Sequence, residues 1–157
     1  NGKDDMERIS LALGSLCIEE MSERRARSQY TFGERGNADQ YLLSGWHESE
    51  PGGNWASEHA EFLLVAKENC DYEITLNYLL YDSLNHTDVY INGMKIGTLD
   101  GSAPVLTLRV SKNLLTEENY QLLEFKTQGV SQTPSNENGD VRIVGIWLSS
   151  ITVNPAE

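Results

Sequence analysis

Apolar and polar residues alternate along several short stretches of this chain. Tyr72-Glu73-Ile74-Thr75-Leu76-Asn77-Tyr78 does so at the start of a run reaching Leu80, and Val105–Val110 repeats the pattern. A period of two predicts half-buried strands, because successive side chains point to opposite faces. Leu122–Lys126, Val141–Val144 and Ile146–Val153 read as further strands, and Glu61–Val65 as a shorter, more apolar one. Asp88-Val89-Tyr90-Ile91 runs into Asn92-Gly93, and Met94–Gly97 follows. Asn-Gly suits a two-residue type I′ hairpin, whose central residues both need positive φ. The apolar phase predicts that Leu76, Val89, Ile91, Leu106, Leu108, Phe125, Ile143, Ile146 and Leu148 face a core. Trp147, between Ile146 and Leu148, then faces the other way.

Between these runs lie His47–Asn54, with Pro51-Gly52-Gly53, and the polar stretch Gly129–Gly139, with Pro134. Both read as loops. Ser111 is placed to cap a short helical turn over Lys112–Leu115. Residues 5–27 are ambiguous. Met6, Ile9, Leu13, Leu16, Cys17 and Met21 follow a helical stripe, while Ile9, Leu11 and Leu13 also alternate. A helix is the preferred reading there, although Gly14 weakens it. Short strands with frequent turns and no βαβ rhythm predict an all-β antiparallel sandwich over 30–157. Residues 1–29 form an N-terminal segment, either linker-like or packed, helical or extended.

With 157 residues the chain fits one domain with a real core. The net charge of −12 has the wrong sign for nucleic acid or an anionic membrane surface. Arg24, Arg25 and Arg27 sit beside Glu19, Glu20 and Glu23 and read as a solvated helix face. No apolar run approaches the ~18 residues of a membrane span, so this segment is not expected to insert directly. The opening Asn1-Gly2-Lys3 lacks a Met, as expected of a trimmed chain whose anchor or enzyme domain lies outside it. Cys17 and Cys70 belong to no CxxC pair, which disfavours zinc. They read either as two buried thiols or as a disulfide; in the chain-entropy model that closure would contribute roughly 4 kcal/mol.

The candidate chemistry gathers at one loop. Trp46 and Trp55 flank a segment holding Glu48, Glu50 and Asn54, with Glu58 just beyond. Sugars stack on rigid aromatic rings while carboxylates and amides accept from their hydroxyls, so Trp46, Glu48, Glu50, Asn54 and Trp55 form a candidate carbohydrate site. The plainer account makes one Trp core and the acids a solvated loop. Asp140 and Arg142, two apart on a strand, read as an ion pair anchoring the long loop. Enzyme readings are poor. His47, His59 and His86 have no Gly-x-Ser-x-Gly nucleophile elbow nearby. His47, Glu48, Glu50 and His59 match no metal-site spacing. No cofactor is expected. Calcium on loop oxygens would suit an acidic sandwich better, yet no Asp-x-Asp-x-Asp-Gly run supports it. Asn85-His86-Thr87 has the N-glycosylation pattern, which a bacterial source would make irrelevant.

Tyr41-Leu42-Leu43-Ser44-Gly45-Trp46, then Glu48, Glu50-Pro51-Gly52-Gly53 and Trp55, together with later elements in order, resemble one domain type. The later elements are Val89-Tyr90-Ile91-Asn92-Gly93, the Ser131–Pro134 loop, and Asp140-x-Arg142-x-x-Gly145-Ile146-x-Leu148-x-x-Ile151. The domain is the β-sandwich appended to bacterial membrane glycosyltransferases and phosphoglycerol transferases, and the likeness spans roughly residues 30–153. It implies a jelly-roll-like fold similar to carbohydrate-binding modules, a place outside the cytoplasm, and a parent transferase domain that modifies envelope glycans. It brings no catalytic residues. The expected function is a non-catalytic accessory domain that holds a glycan. A spacer or docking domain without a small ligand is the alternative, and a small hydrolase or metal-binding enzyme the third.

Overall fold

A computed structural model describes residues 29–66, 70–82, 84–129, 131–135 and 140–156. The N-terminal helix reading, the arginine cluster and Cys17 lie outside the described residues. Among the described residues eleven strands follow in order: β1 Gln29–Thr31, β2 Asn54–Trp55, β3 His59–Val65, β4 Tyr72–Leu80, β5 His86–Ile91, β6 Met94–Leu99, β7 Val105–Val110, β8 Tyr120–Gln128, β9 Ser131–Ser135, β10 Asp140–Val144 and β11 Ile146–Pro155. They form an antiparallel, jelly-roll-like sandwich. One sheet has the order β1-β11-β4-β7, with β2 also pairing β11, and the other β3-β8-β5-β6. Among the described strands, β5 and β6 form the one hairpin within a main sheet. The links β3–β4, β4–β5, β6–β7 and β7–β8 each cross from one sheet to the other.

Strand phase builds the core as the alternation requires. Ile74 and Leu76 of β4, Val89 and Ile91 of β5, Leu123 and Phe125 of β8, and Ile146, Leu148 and Ile151 of β11 are fully buried between the sheets. Leu108 is buried and Leu106 packs against the core from a partly buried position. Ile143 departs from expectation: it is 40% exposed. Its strand, β10, pairs with β9 in a two-stranded ribbon outside both main sheets, and the residue that β10 buries is Val144, of the opposite phase. The same ribbon corrects the loop reading of Gly129–Gly139, because β9 lies inside that stretch.

The Asn92-Gly93 turn has φ of 49° and 90°, the left-handed pair the hairpin demands. Asn92 does more than turn the chain. Its amide donates to Leu114 O at 2.9 Å and Gln121 Oε1 at 2.7 Å, and its oxygen accepts from Leu122 N at 2.9 Å. Gln121, fully buried, donates in turn to Ala66 O and Glu118 O. Ser111 caps a 3-10 turn at Lys112–Leu114 by accepting from Asn113 N. Cys70 is disulfide-bonded, against the reading of it as a buried thiol.

Candidate functional site

The loop from Gly45 to Trp55 is held down at many points. Trp46 lays its ring against Phe32 at 5.5 Å and Phe125 at 6.0 Å, and its indole N–H donates to Glu61 O at 2.8 Å. Beyond it, Glu50 and Gly53 exchange backbone hydrogen bonds across Pro51-Gly52. Gly52 has φ of 91°, so Pro51-Gly52 turns in the manner of a type II turn. Arg142 donates to Glu50 Oε2 at 2.8 Å and ties this turn to the β9–β10 ribbon. Asn54, 1% exposed, accepts from Gly33 N at 2.8 Å and donates to His47 O and Ser49 Oγ. A buried amide so satisfied fixes the backbone on both sides of it.

This clamp delivers Trp55 to the solvent side of the β11 sheet. There Trp55 stands opposite Trp147, and Trp147 opposite Leu79, in one row across β2, β11 and β4. The Trp55 and Trp147 rings meet edge to face with centroids 5.3 Å apart, and Tyr81 meets Trp55 likewise at 5.8 Å. Leu79 is 52% and Tyr81 48% exposed. The Trp147 ring lies against Gly53, where a Cβ would fall 2.5 Å from Trp147 Cε2. Next to the row, Leu79 forms part of a cleft of about 360 Å³ with Tyr78, Leu80, Asp100, Gly101, Ala103 and Pro104. Ser102 hydrogen-bonds Asp100 through its hydroxyl and its amide and holds that carboxyl below the usual carboxylate range, ionised as an acceptor. The ring cluster and, in the cleft that Leu79 shares, an ionised carboxylate offer the two kinds of contact a sugar takes: C–H faces on rings, hydroxyls on an acid.

The five residues picked from sequence therefore occupy different places. Trp55 is in the aromatic cluster. Trp46, Glu50 and Asn54 are engaged in packing and bonds that shape the loop, and Glu48 is exposed on it. Arg142 finds its ion-pair partner in Glu50. The His47, Glu48, Glu50 and His59 set does not converge on one ion: His47 bonds Ile143 O and His59 bonds Glu124. Sequence reasoning missed Tyr81, Leu79 and Asp100. Trp147 carried a signal, its phase opposite to Ile146 and Leu148, but nothing in the sequence set it beside Trp55.

No family model and no curated protein matches this chain. Among solved structures, it is similar to a family 35 carbohydrate-binding module from Clostridium thermocellum, at 10% identity and a TM-score of 0.49, covering 82% of this chain and 99% of that one. It is also similar to the CBM36-1 domain of a multidomain xylanase from the hindgut metagenome of Trinervitermes trinervoides, at 13% identity, TM-score 0.47, covering 82% and 97%. A carbohydrate-binding module CBM36 in complex with calcium and xylotriose matches at 15% identity, TM-score 0.39, covering 64% and 76%. At these values the likenesses carry no argument about what this chain binds. Among the described residues, no helix is long and apolar enough to cross a membrane.

Proposed function

We propose that this chain is a non-catalytic glycan-binding domain of a larger cell-envelope protein. The observation that carries the reading is the Trp55–Trp147–Tyr81 cluster on the solvent side of the β11 sheet, beside the Asp100 cleft. Large aromatic groups in such numbers at a surface mark a recognition site, since burial would otherwise remove them from water. Trp55 and Trp147 supply ring faces and edges, Asp100 accepts from hydroxyls, and Glu48 is the exposed carboxylate on the loop leading to Trp55. Trp46, Glu50 and Asn54 are positioning residues that hold that loop. The rings meet at steep angles, so the surface suits one or two sugar units turned over an edge better than a long flat chain. The place outside the cytoplasm rests on the resemblance and on the Cys70 disulfide, a bond that persists in oxidising compartments. Beside it the resemblance supplies the parent, a transferase acting on envelope glycans.

A docking face for the parent protein is the second reading. Leu84, 84% exposed and three residues on from Tyr81, favours it, because sugars give such a residue little to hold. A glycan array on this domain separates the two. Saturable binding that falls at least tenfold in Trp147→Ala and Trp55→Ala supports the glycan reading. Binding untouched by both changes removes this site, and no binding to any envelope glycan leaves docking in front.

A further inference from the structure

The opposite side of the sandwich carries different chemistry. His59 and Glu61 are two apart on β3, so strand geometry turns both side chains to the outer face of the β8 sheet. Glu124 of β8 stands directly opposite Glu61 in the antiparallel register. One ligand atom from each of His59, Glu61 and Glu124 lies within 4.8 Å of the other two. His59 Nε2 is 2.9 Å from Glu124 Oε2, and Ser44 Oγ donates to Glu61 Oε1 at 2.9 Å.

Two carboxylates directly opposed across strands repel each other. Glu124 has a side chain only 12% exposed, so water screens it poorly. Lys126, opposite His59, is not inserted between the acids: its Nζ sits over the Tyr90 ring, 4.6 Å from the centroid. Among the described residues, the two acids are partnered by an imidazole and a hydroxyl. That is a donor set with more negative charge than its neighbours neutralise.

We propose that His59, Glu61 and Glu124 bind one divalent first-row transition cation, with zinc the natural probe. The donor types select the class. One imidazole nitrogen with two carboxylate oxygens suits zinc and its neighbours, whereas calcium takes six to eight oxygens. Zinc bonds of about 2.0–2.2 Å in a tetrahedron set donor atoms roughly 3.3–3.6 Å apart. The ligand atoms already lie within 4.8 Å of one another, and the His59–Glu124 pair, at 2.9 Å, has to open to that spacing. The ion replaces the His59–Glu124 hydrogen bond, offsets the repulsion of the two acids and joins β3 to β8. With three protein ligands, its fourth position faces solvent and takes water or another oxygen ligand. The site stands on the other sheet from the aromatic cluster, so the two bind independently.

Calorimetric titration of the chelator-treated chain with zinc, alongside melting curves with and without the metal, tests this. We expect one zinc per chain, a rise in Tm at saturating zinc, and no competition from equal calcium. His59→Ala and Glu124→Gln each weaken binding about tenfold or more. Glu73→Gln, an acid on the other sheet paired with Arg109, leaves it unchanged. Glu124→Gln is isosteric and removes the acid pair's repulsion, so it stays folded and carries the test if His59→Ala does not. Absence of saturable binding overturns the proposal, as does equal binding in the wild type and Glu124→Gln, or equal loss in Glu73→Gln.

Discussion

Gly53→Ala gives a sharp test of how the aromatic cluster is held. Gly53 is buried under the Trp147 ring, and a Cβ there would stand 2.5 Å from Trp147 Cε2, 2.6 Å from Trp147 Cζ2 and 2.6 Å from Leu148 O. The carbonyl belongs to β11, inside the sheet, and cannot retreat without disturbing the β2–β11 ladder. The ring is backed by Trp55 and cannot swing freely. Two effects oppose each other. Replacing glycine by alanine restricts the unfolded chain and stabilises by about 0.4–1 kcal/mol. Forcing a methyl into a filled site costs about 1–3 kcal/mol. The contact distances decide for the second, so a net loss of about 1–2 kcal/mol is expected, with Trp147 displaced. Gly52→Ala is the control. Gly52 has φ of 91° and nothing within 4 Å of its missing Cβ. It should cost about 1–2 kcal/mol through backbone strain alone, leaving the ring in place. Urea unfolding reads stability, and near-UV circular dichroism reads the Trp55–Trp147 pair. The expected outcome is destabilisation by both variants and an altered tryptophan signal only in Gly53→Ala. A Gly53→Ala protein as stable as wild type, with an unchanged aromatic spectrum, would refute the packing argument.

Other outcomes follow from the same structure. Phe125→Ala should cost about 3–5 kcal/mol in denaturant unfolding, since Phe125 is fully buried where the two sheets meet and supports Trp46. Asn92→Gly keeps a residue suited to positive φ yet removes three hydrogen bonds, so it should cost about 2–3 kcal/mol at about 1 kcal/mol per bond; near-neutral behaviour would mean that Asn92 serves the turn alone. Burial pushes the Tyr30 phenol from 10.0 up to about 12, against the hydrogen bond from Val65 N that lowers it. Between those values the unfolded chain has lost a proton that the folded chain keeps, so stability is full below pH 10 and falls as pH rises. At about 1.36 kcal/mol per unit the loss is on the order of 2–3 kcal/mol, complete only once the pH has passed the folded value, and Tyr30→Phe should flatten that slope. At the acid end, Lys112 N and Arg109 hold the Asp71 carboxyl below its usual range, so its contribution is present above about pH 4 and lost as pH falls further; Asp71→Asn should reduce the acid dependence measured by thermal melts.

Local physics was enough for most of the sandwich. The alternation over Tyr72–Tyr78 and Val105–Val110, the Asn92-Gly93 pair and the Ser111 cap are each short-range patterns, and a strand or turn needs only neighbours in sequence to declare itself. The phase of Trp147 against Ile146 and Leu148 was legible for the same reason. What alternation cannot carry is which of a strand's two phases is buried. Ile143 alternates like a core residue, yet its ribbon stands outside the two sheets and buries Val144, of the other phase. The candidate site fails locally in a second way. Trp46 and Trp55 are nine residues apart in one loop and look alike in sequence, but Phe32, Phe125 and Glu61 claim the first, while the second meets Trp147 and Tyr81. Those partners come from distant strands whose register is set by the β2–β11 and β11–β4 pairings. Likewise Glu61 and Glu124 become a pair only because β3 and β8 align there. The residue types and the strand phase were properties of the sequence by itself; which rings and which acids share a surface was decided by strand pairing, a long-range event in which one residue of slip turns every side chain to the other face.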